Sequence, residues 1–304
     1  MSVRVAFATA PPEVVADHDT DRALHVRACA AAGIELEHPV WSDPTVDWAS
    51  FDLVVVRATW DYLSHLHRFV DWLSEVERVA TLANPAPVIT WNLDKRYLLD
   101  LEAAGVPIVP SRVCTQRDEA ADALAAVHGE VVVKPVVSAG SRLTGRFGPA
   151  DPAASRLAGT ILDEGTPVLV QPAVASVAVS GEVSTLVFGG QVSHTVRKGP
   201  LLALGGGLVG DSYVERLAPE TLGRRSRRLV EATSAAVADL VAARFEVGAP
   251  LLYARVDMVV LDDGTEAVLE VELAEPSFFL DTVPAAAGRF AAEVARRASR
   301  PARP

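Results

Sequence analysis

The chain has little cysteine, almost no lysine and no long apolar run. Cys29 and Cys114 are the only cysteines in 304 residues. They are too few for a disulfide framework or a Cys-rich metal site, and they suit a reducing, cytoplasmic setting. No window approaches the roughly 18 uninterrupted apolar residues of a membrane-spanning helix, so no membrane partner is expected. The apolar start, Val3-Arg4-Val5-Ala6-Phe7-Ala8, is short and soon followed by Glu13, Asp17, Asp19 and Asp21. It reads as a first strand rather than a signal peptide. Positive charge is also scarce: 28 Lys and Arg face 39 Asp and Glu, a net charge of −11. Phosphate neutralisation needs clustered cations, so a general nucleic-acid surface is excluded. Only Lys95, Lys134 and Lys198 are lysines, and where Arg is the default cation each lysine asks for its own explanation.

What is present is an apolar chain, 50% hydrophobic, of a length that favours two or three lobes with a cleft between them. The first third alternates strand and helix: strand 3–8, helix 19–32 stopped by Gly33, strands 34–40 and 53–56. Such alternation predicts an open parallel α/β sheet. A helix carrying Leu66, Phe69, Val70, Leu73 and Val76 follows, then one capped by Asn92 and stopped at Gly105. Residues 108–171 repeat the theme as a small α+β lobe. The remainder holds two hairpins, a Gly-rich loop at 205–210, a long helix from near Pro219 and a last helix opening at Pro284.

Both hairpins have a register that can be computed. Asp263-Gly264 between β-rich runs predicts a two-residue type I′ turn, so that opposed residue numbers sum to 527. Arg255 then faces Glu272 and Asp257 faces Glu270. These four share one face, while Val256, Met258, Leu269, Val271 and Leu273 share the other. Three carboxylates around one Arg would repel. A solvated outer face with an Arg–Glu pair is one reading; a Mg²⁺ site, which takes carboxylate oxygens beside substrate phosphates, is the other and is favoured by the apolar flanks. Gly189-Gly190 gives the second register, summing to 379, in which Glu182 faces Arg197. That pair is either a surface salt bridge or an Arg poised for a transferred phosphate, with Glu182 orienting it or a ligand hydroxyl. Lys198 falls on the opposite side and is the weakest phosphate candidate of the three lysines.

Val131-Val132-Val133-Lys134-Pro135 ends a buried-looking strand with Lys134 ahead of a loop, 138–145, that includes Gly140 and Ser141. Backbone N–H groups of such a loop can meet nucleotide phosphates. The run is not a Walker A motif.

Taken in order, Lys95, Lys134, the loop, Gln171-Pro172, Glu182, Arg197, Asp257, Glu270 and Glu272 make the chain resemble the ATP-grasp superfamily of carboxylate–amine ligases over essentially its full length. The resemblance implies ATP and Mg²⁺ as cofactors and an ATP-grasp fold in three parts. These are an open α/β N-terminal domain over 1–92, a small central lobe over 93–172, and a C-terminal lobe over 173–304 with a mainly antiparallel sheet. It implies that Lys95 and Lys134 contact nucleotide phosphates, that Gln171, Ala173 and Val174 form the hinge meeting adenine, and that Asp257, Glu270 and Glu272 hold the metal. Glu272 departs from the family's usual Asn and adds negative charge.

The segments Arg57-Ala58-Thr59-Trp60-Asp61-Tyr62, Trp91–Lys95, Ser193–Lys198 and Glu275-Pro276-Ser277 look like a narrower subgroup of cyclising ligases of antibiotic biosynthesis. A member of that subgroup acts on O-ureido-D-serine, so the resemblance implies O-ureido-D-serine as the best-guess substrate. The expected chemistry is activation of a small amino-acid-like carboxylate as an acyl phosphate, then closure onto a nitrogen of the same molecule. Arg197 and Arg255 are the candidate catalytic cations. Arg57, just past a strand's carboxyl end, is the candidate holder of the substrate carboxylate, with Trp60, Asp61 and Ser277 near it. For Trp60 and Trp91, interlobe packing is the competing role. An intermolecular amino-acid or peptide ligase and a non-catalytic nucleotide-binding regulator are the alternatives, and a homo-oligomer is left open.

Overall fold

A computed structural model describes residues 3–16, 18–209, 214–248 and 250–299. Three sheets follow one another along the chain. The first is wholly parallel, ordered β2-β1-β3-β4, with β1 at Val3–Thr9, β2 at Ile34–Glu37, β3 at Leu53–Ala58 and β4 at Leu82–Ala83. β3 is buried along its whole length, as the continuous apolar run Leu53-Val54-Val55-Val56 requires of a strand covered on both faces. One cover is the helix Leu66–Val79, which buries Phe69, Trp72, Leu73 and Val76 at helical spacing.

The second sheet is antiparallel, ordered β5-β8-β6-β7. Its strands are β5 at Arg112–Cys114, β6 at Val131–Pro135, β7 at Gly145–Phe147 and β8 at Val168–Pro172, backed by the helices Arg117–Ala126 and Pro152–Asp163. The third, also antiparallel, is ordered β11-β10-β9-β12-β13. Here β9 is Glu182–Phe188, β10 Gln191–Lys198, β11 Leu217–Pro219, β12 Tyr253–Val260 and β13 Glu266–Glu272. Pro219 therefore ends a short strand, and the long helix starts later, at Arg224.

Asn92 is not a helix N-cap. It ends the helix Ala86–Asn92, and its amide donates to Val271 O at 2.8 Å and accepts from Leu273 N at 2.6 Å. Tyr97 Oη accepts from Val271 N at 2.8 Å, and Pro107 O and Val109 N pair with Val268. β13 is the sheet's edge, and its free N–H and C=O groups are met by these partners, which blunts the edge and fixes its position. Asn84 docks the other end, donating to Tyr253 O and Leu273 O at 2.9 Å each and accepting from Leu252 N at 2.9 Å. The strand pair carrying the acidic cluster is thus clamped to the chain before it.

Candidate active site

The β12–β13 pair places Arg255 opposite Glu272 and Asp257 opposite Glu270. The turn differs from the I′ expectation. Gly264 alone of its two central residues has positive φ, +83°, and Leu261 N bonds Thr265 O at 2.8 Å, so the loop has an extra residue and pairs there sum to 526. A bulge between Asp257 and Met258 restores the offset. Its surplus residue, Leu269, leaves the face of Met258 and Val271 and packs instead with Val109, Val174 and Val259.

The reverse happens between β9 and β10. Gly189 and Gly190 form the expected turn, with φ of +54° and +81°, and Phe188 faces Gln191. The register then slips between Val192 and His194, making Ser193 the surplus residue, so Lys198, not Arg197, faces Glu182. The expected roles of the two are exchanged. Arg197 turns to the far side, where its Nε donates to Glu220 at 2.8 Å and a terminal nitrogen to Ser180 O at 3.2 Å. Lys198 pairs with Glu182 and lies 3.3 Å from Asp257. Gly181 enforces this approach, for a Cβ there would overlap the Lys198 carbonyl, and its φ of +72° suits glycine.

The charges interlock. Arg255 donates to both Asp257 oxygens, at 2.9 and 2.8 Å, and to Glu272. Lys95 Nζ reaches Glu270 at 3.1 Å and Ser138 O at 2.9 Å. Burial opposes charge on Asp257, but Arg255 and Lys198 overcome it and hold this carboxyl well below the usual range. Glu272 goes the other way: burial, reinforced by Glu270 and Asp257 and only partly relieved by Arg255, pushes it up to about 8. Lys134, 8% exposed at the end of β6, has its pKa lowered by burial, with Glu270 pulling the other way.

In the loop after β6, Gly140 and Ser141 both take φ of +58°. The second Gly-bearing loop docks on β7, the strand that follows the first: Gly205 N and Gly206 N both donate to Arg146 O, at 2.9 and 3.0 Å; Gly210 lies outside the described residues. At the hinge, Gln171 is buried and donates to Ser111 Oγ at 2.9 Å, and Ala173 N is spent on Glu130 O at 2.8 Å. Neither group is free for adenine as it stands.

Arg57 is also not a free carboxylate holder. It is 4% exposed, donates to Pro276 O at 2.5 Å and Asp21 at 3.2 Å, and lies 3.7 Å over the Phe278 ring. Asp21 in turn accepts from Phe278 N and Leu280 N, each at 2.7 Å. Arg57 therefore staples residues 276–280 to the first sheet. Asp61 accepts from Trp41 Nε1 at 2.7 Å, and Trp60 donates to Glu275 O at 3.3 Å while packing on the Ala10, Val15 and Ala58 cluster. Trp91 packs and bonds Asp100 at 2.8 Å. Ser277 is half-buried in the stapled segment. Glu275, which the residue pattern did not single out as a site residue, is half-buried beside these groups, its carbonyl taking the Trp60 bond. Its signal was positional: it stands three residues past Glu272 in the quoted segment.

Among the described residues no three His, Cys, Asp or Glu side chains form a ready metal-ligand set. The donor chemistry of Asp257, Glu270 and Glu272 nonetheless fits Mg²⁺: all are carboxylates, on one sheet face, at adjoining register positions. Their present partners are the cations Arg255, Lys95 and Lys198, so a metal would have to share or displace those pairs.

Known proteins supply the remaining comparison. A family model described as D-cycloserine synthetase DcsG, N-terminal domain, matches residues 5–84. The cycloserine biosynthesis protein DcsG of Streptomyces lavendulae is 36% identical over 290 residues, 92% of this chain and 94% of that protein. The chain belongs to the D-cycloserine synthetase family. A crystal structure of D-cycloserine synthetase DcsG superposes with a TM-score of 0.89 at 34% identity, covering 97% of this chain and all (100%) of the other. D-alanyl-alanine synthetase A from Vibrio cholerae, at 13% identity, shares the fold with a TM-score of 0.68, covering 98% of each chain. This family member has the ATP-grasp fold and is an ATP-using ligase that forms C–N bonds. None of its described helices is long and apolar enough to cross a membrane.

Proposed function

We propose that this D-cycloserine synthetase family member closes O-ureido-D-serine to D-cycloserine in antibiotic biosynthesis, with Mg²⁺ as cofactor alongside ATP. The observation that carries the reading is the convergence of Lys95, Lys198 and Arg255 on Asp257, Glu270 and Glu272, in a chain 36% identical to DcsG. In this reading 1–92, 93–172 and 173–304 act as three lobes around the site.

A carboxylate is a poor electrophile. Its oxygen attacks the γ-phosphorus, ADP leaves, and the acyl phosphate then carries a good leaving group. Lys95 and Lys134 hold the α- and β-phosphates, Lys198 takes the place foreseen for Arg197 beside the transferring group, and Arg255 stabilises the later oxyanion. Adenine lies against Val174 and Leu269. Asp257, Glu270 and Glu272 would hold Mg²⁺, which when bound neutralises phosphate oxygens. The nitrogen attached to the substrate's side-chain oxygen attacks the activated carbonyl, loses its proton, and phosphate departs. Water must then remove the carbamoyl group to leave the ring N–H. The docking of Gly205 and Gly206 on Arg146 of β7 restricts water until the ring has closed.

Incubation with O-ureido-D-serine, ATP and Mg²⁺, followed by mass spectrometry, tests this. ADP and D-cycloserine without any added amine are expected. A requirement for a second amine would instead make the protein an intermolecular ligase.

A further inference from the structure

Resting on the ligase reading above, we propose that a cavity on the far face of the third sheet is a second site, which binds the small zwitterionic ring product and feeds back on turnover. The cavity holds about 140 Å³. Val183 of β9 and Met258 of β12 give it apolar lining, and its only charged lining groups are one cation, Arg197 of β10, and one anion, Glu266 of β13. Side-chain alternation sets it apart from the phosphate site. Arg197, Val183 and Met258 form one cross-strand row. Their chain neighbours Lys198, Glu182 and Asp257 face the other way, where Lys198 pairs with Glu182 and lies 3.3 Å from Asp257.

Both charged groups keep unused capacity. Arg197 spends Nε on Glu220 at 2.8 Å and one terminal nitrogen on Ser180 O at 3.2 Å, and its other terminal nitrogen has no hydrogen bond among the described residues. Glu266 accepts from Ser226 Oγ at 2.9 Å through one oxygen, and its other oxygen is unpaired among the described residues. A ligand that offers an anion to Arg197 and an ammonium to Glu266 gains a charge-assisted bond at each end, with apolar contact between them. Volume narrows the class. An apolar cavity of about 150 Å³ accommodates benzene, so one small ring fits here, whereas the open-chain ureido precursor is longer. The ring product has the required form: its N-alkoxy amide N–H is acidic, so the ring carries negative charge beside an ammonium group. Coupling follows from the shared strands. Ser180 O, which Arg197 holds, belongs to the residue before Gly181, and Gly181 packs against the Lys198 carbonyl. A ligand that draws Arg197 off Ser180 thus shifts Glu182 and Lys198 behind it, lowering turnover without occupying the ATP or substrate positions.

Calorimetry in the presence of AMP-PNP and Mg²⁺ tests the site, with D-cycloserine and its des-amino counterpart, isoxazolidin-3-one, as probes. Wild-type protein should bind D-cycloserine about 10-fold or more tighter than the des-amino ring, the scale of a charged hydrogen bond. Glu266→Gln keeps an oxygen for Ser226 but loses the charge, so it should abolish that preference, while Arg197→Ala should weaken both rings. Equal affinity of the two rings for wild-type protein, or a preference unchanged in Glu266→Gln, overturns the site. In turnover assays D-cycloserine should inhibit wild-type protein noncompetitively against O-ureido-D-serine, and Glu266→Gln should relieve the inhibition with kcat unchanged. Competitive inhibition that survives in the variant would place the product in the active site alone and also overturn the proposal. The binding measurement needs no turnover, so it stands whether or not the protein cyclises O-ureido-D-serine, which wild-type turnover tests by itself. Melting temperatures identify a variant that fails to fold, for which Glu266→Asp, retaining the charge, should keep the preference for the amino ring.

Discussion

Lys198 stands opposite Glu182, 3.3 Å from Asp257, because Ser193 is a surplus residue in β10. Removing Lys198 leaves two buried carboxylates short of a cation and takes a point charge from the phosphate side. Lys198→Ala should therefore lower kcat/KM for ATP by about 100-fold or more, whereas Arg197→Ala, losing a partly exposed pair with Glu220, should stay within about threefold. Steady-state ATP titrations of both variants check this. Equal losses would mean that the bulge does not exist in the working enzyme.

The metal assignment is tested on the other hairpin. Asp257→Asn and Glu270→Gln should each cut turnover at least about 100-fold while circular dichroism stays native. The double variant should lose less than the sum of the two, because both act through one ion. Near wild-type rates at saturating Mg²⁺ in either variant would remove it from the metal site.

These hairpins also show what could be read from the chain alone. Alternation and turn chemistry were legible: the parallel first sheet, the small central lobe, and the glycines of both turns. Bulges were not, because a surplus residue such as Ser193 or Leu269 carries no local sequence signal. At β12–β13 a misread loop and an unforeseen bulge cancelled, so Arg255–Glu272 and Asp257–Glu270 stood. At β9–β10 the turn was right and the bulge alone exchanged Arg197 and Lys198. Long-range capping escaped as well. Asn92 has the residue type of an N-cap, yet its amide serves an edge strand some 180 positions away. Arg57 has the placement of a ligand residue, but its two terminal nitrogens are engaged by Pro276 and Asp21.

Arg57→Ala should accordingly act on stability first. It breaks a buried ion pair and frees residues 276–280, a loss of about 3–5 kcal/mol. Urea unfolding should show a lower midpoint with little change in the KM for ATP. Because Ser277, a candidate substrate residue, lies in the stapled segment, the substrate KM should rise too. An Arg57→Ala protein of unchanged stability but raised substrate KM would restore Arg57 as a direct carboxylate ligand.

The last prediction is a pH dependence set away from the phosphate chemistry. His25 is 2% exposed, and its ring lies edge-on to Phe7, Phe278 and Phe290 at 5.2 to 5.6 Å between centroids. Neither ring nitrogen has a hydrogen-bond partner among the described residues. Burial holds its pKa well below 6.5, with Arg57 and His38 adding to the shift. His38 is itself lowered to about 4, chiefly by burial. In the unfolded chain both histidines take up protons as pH falls through about 6.5, while the folded protein does not, so the unfolded state binds more protons and stability drops. Above that pH the contribution is fully present. Below it the slope should be about 1.4 kcal/mol per pH unit for His25 alone. His25→Phe keeps an aromatic ring against the same neighbours and removes the titration, so its stability curve from urea unfolding should be flatter by that amount between pH 6.5 and 5. Identical slopes for the two proteins would show that His25 protonates in the folded state and that its surroundings admit the charge.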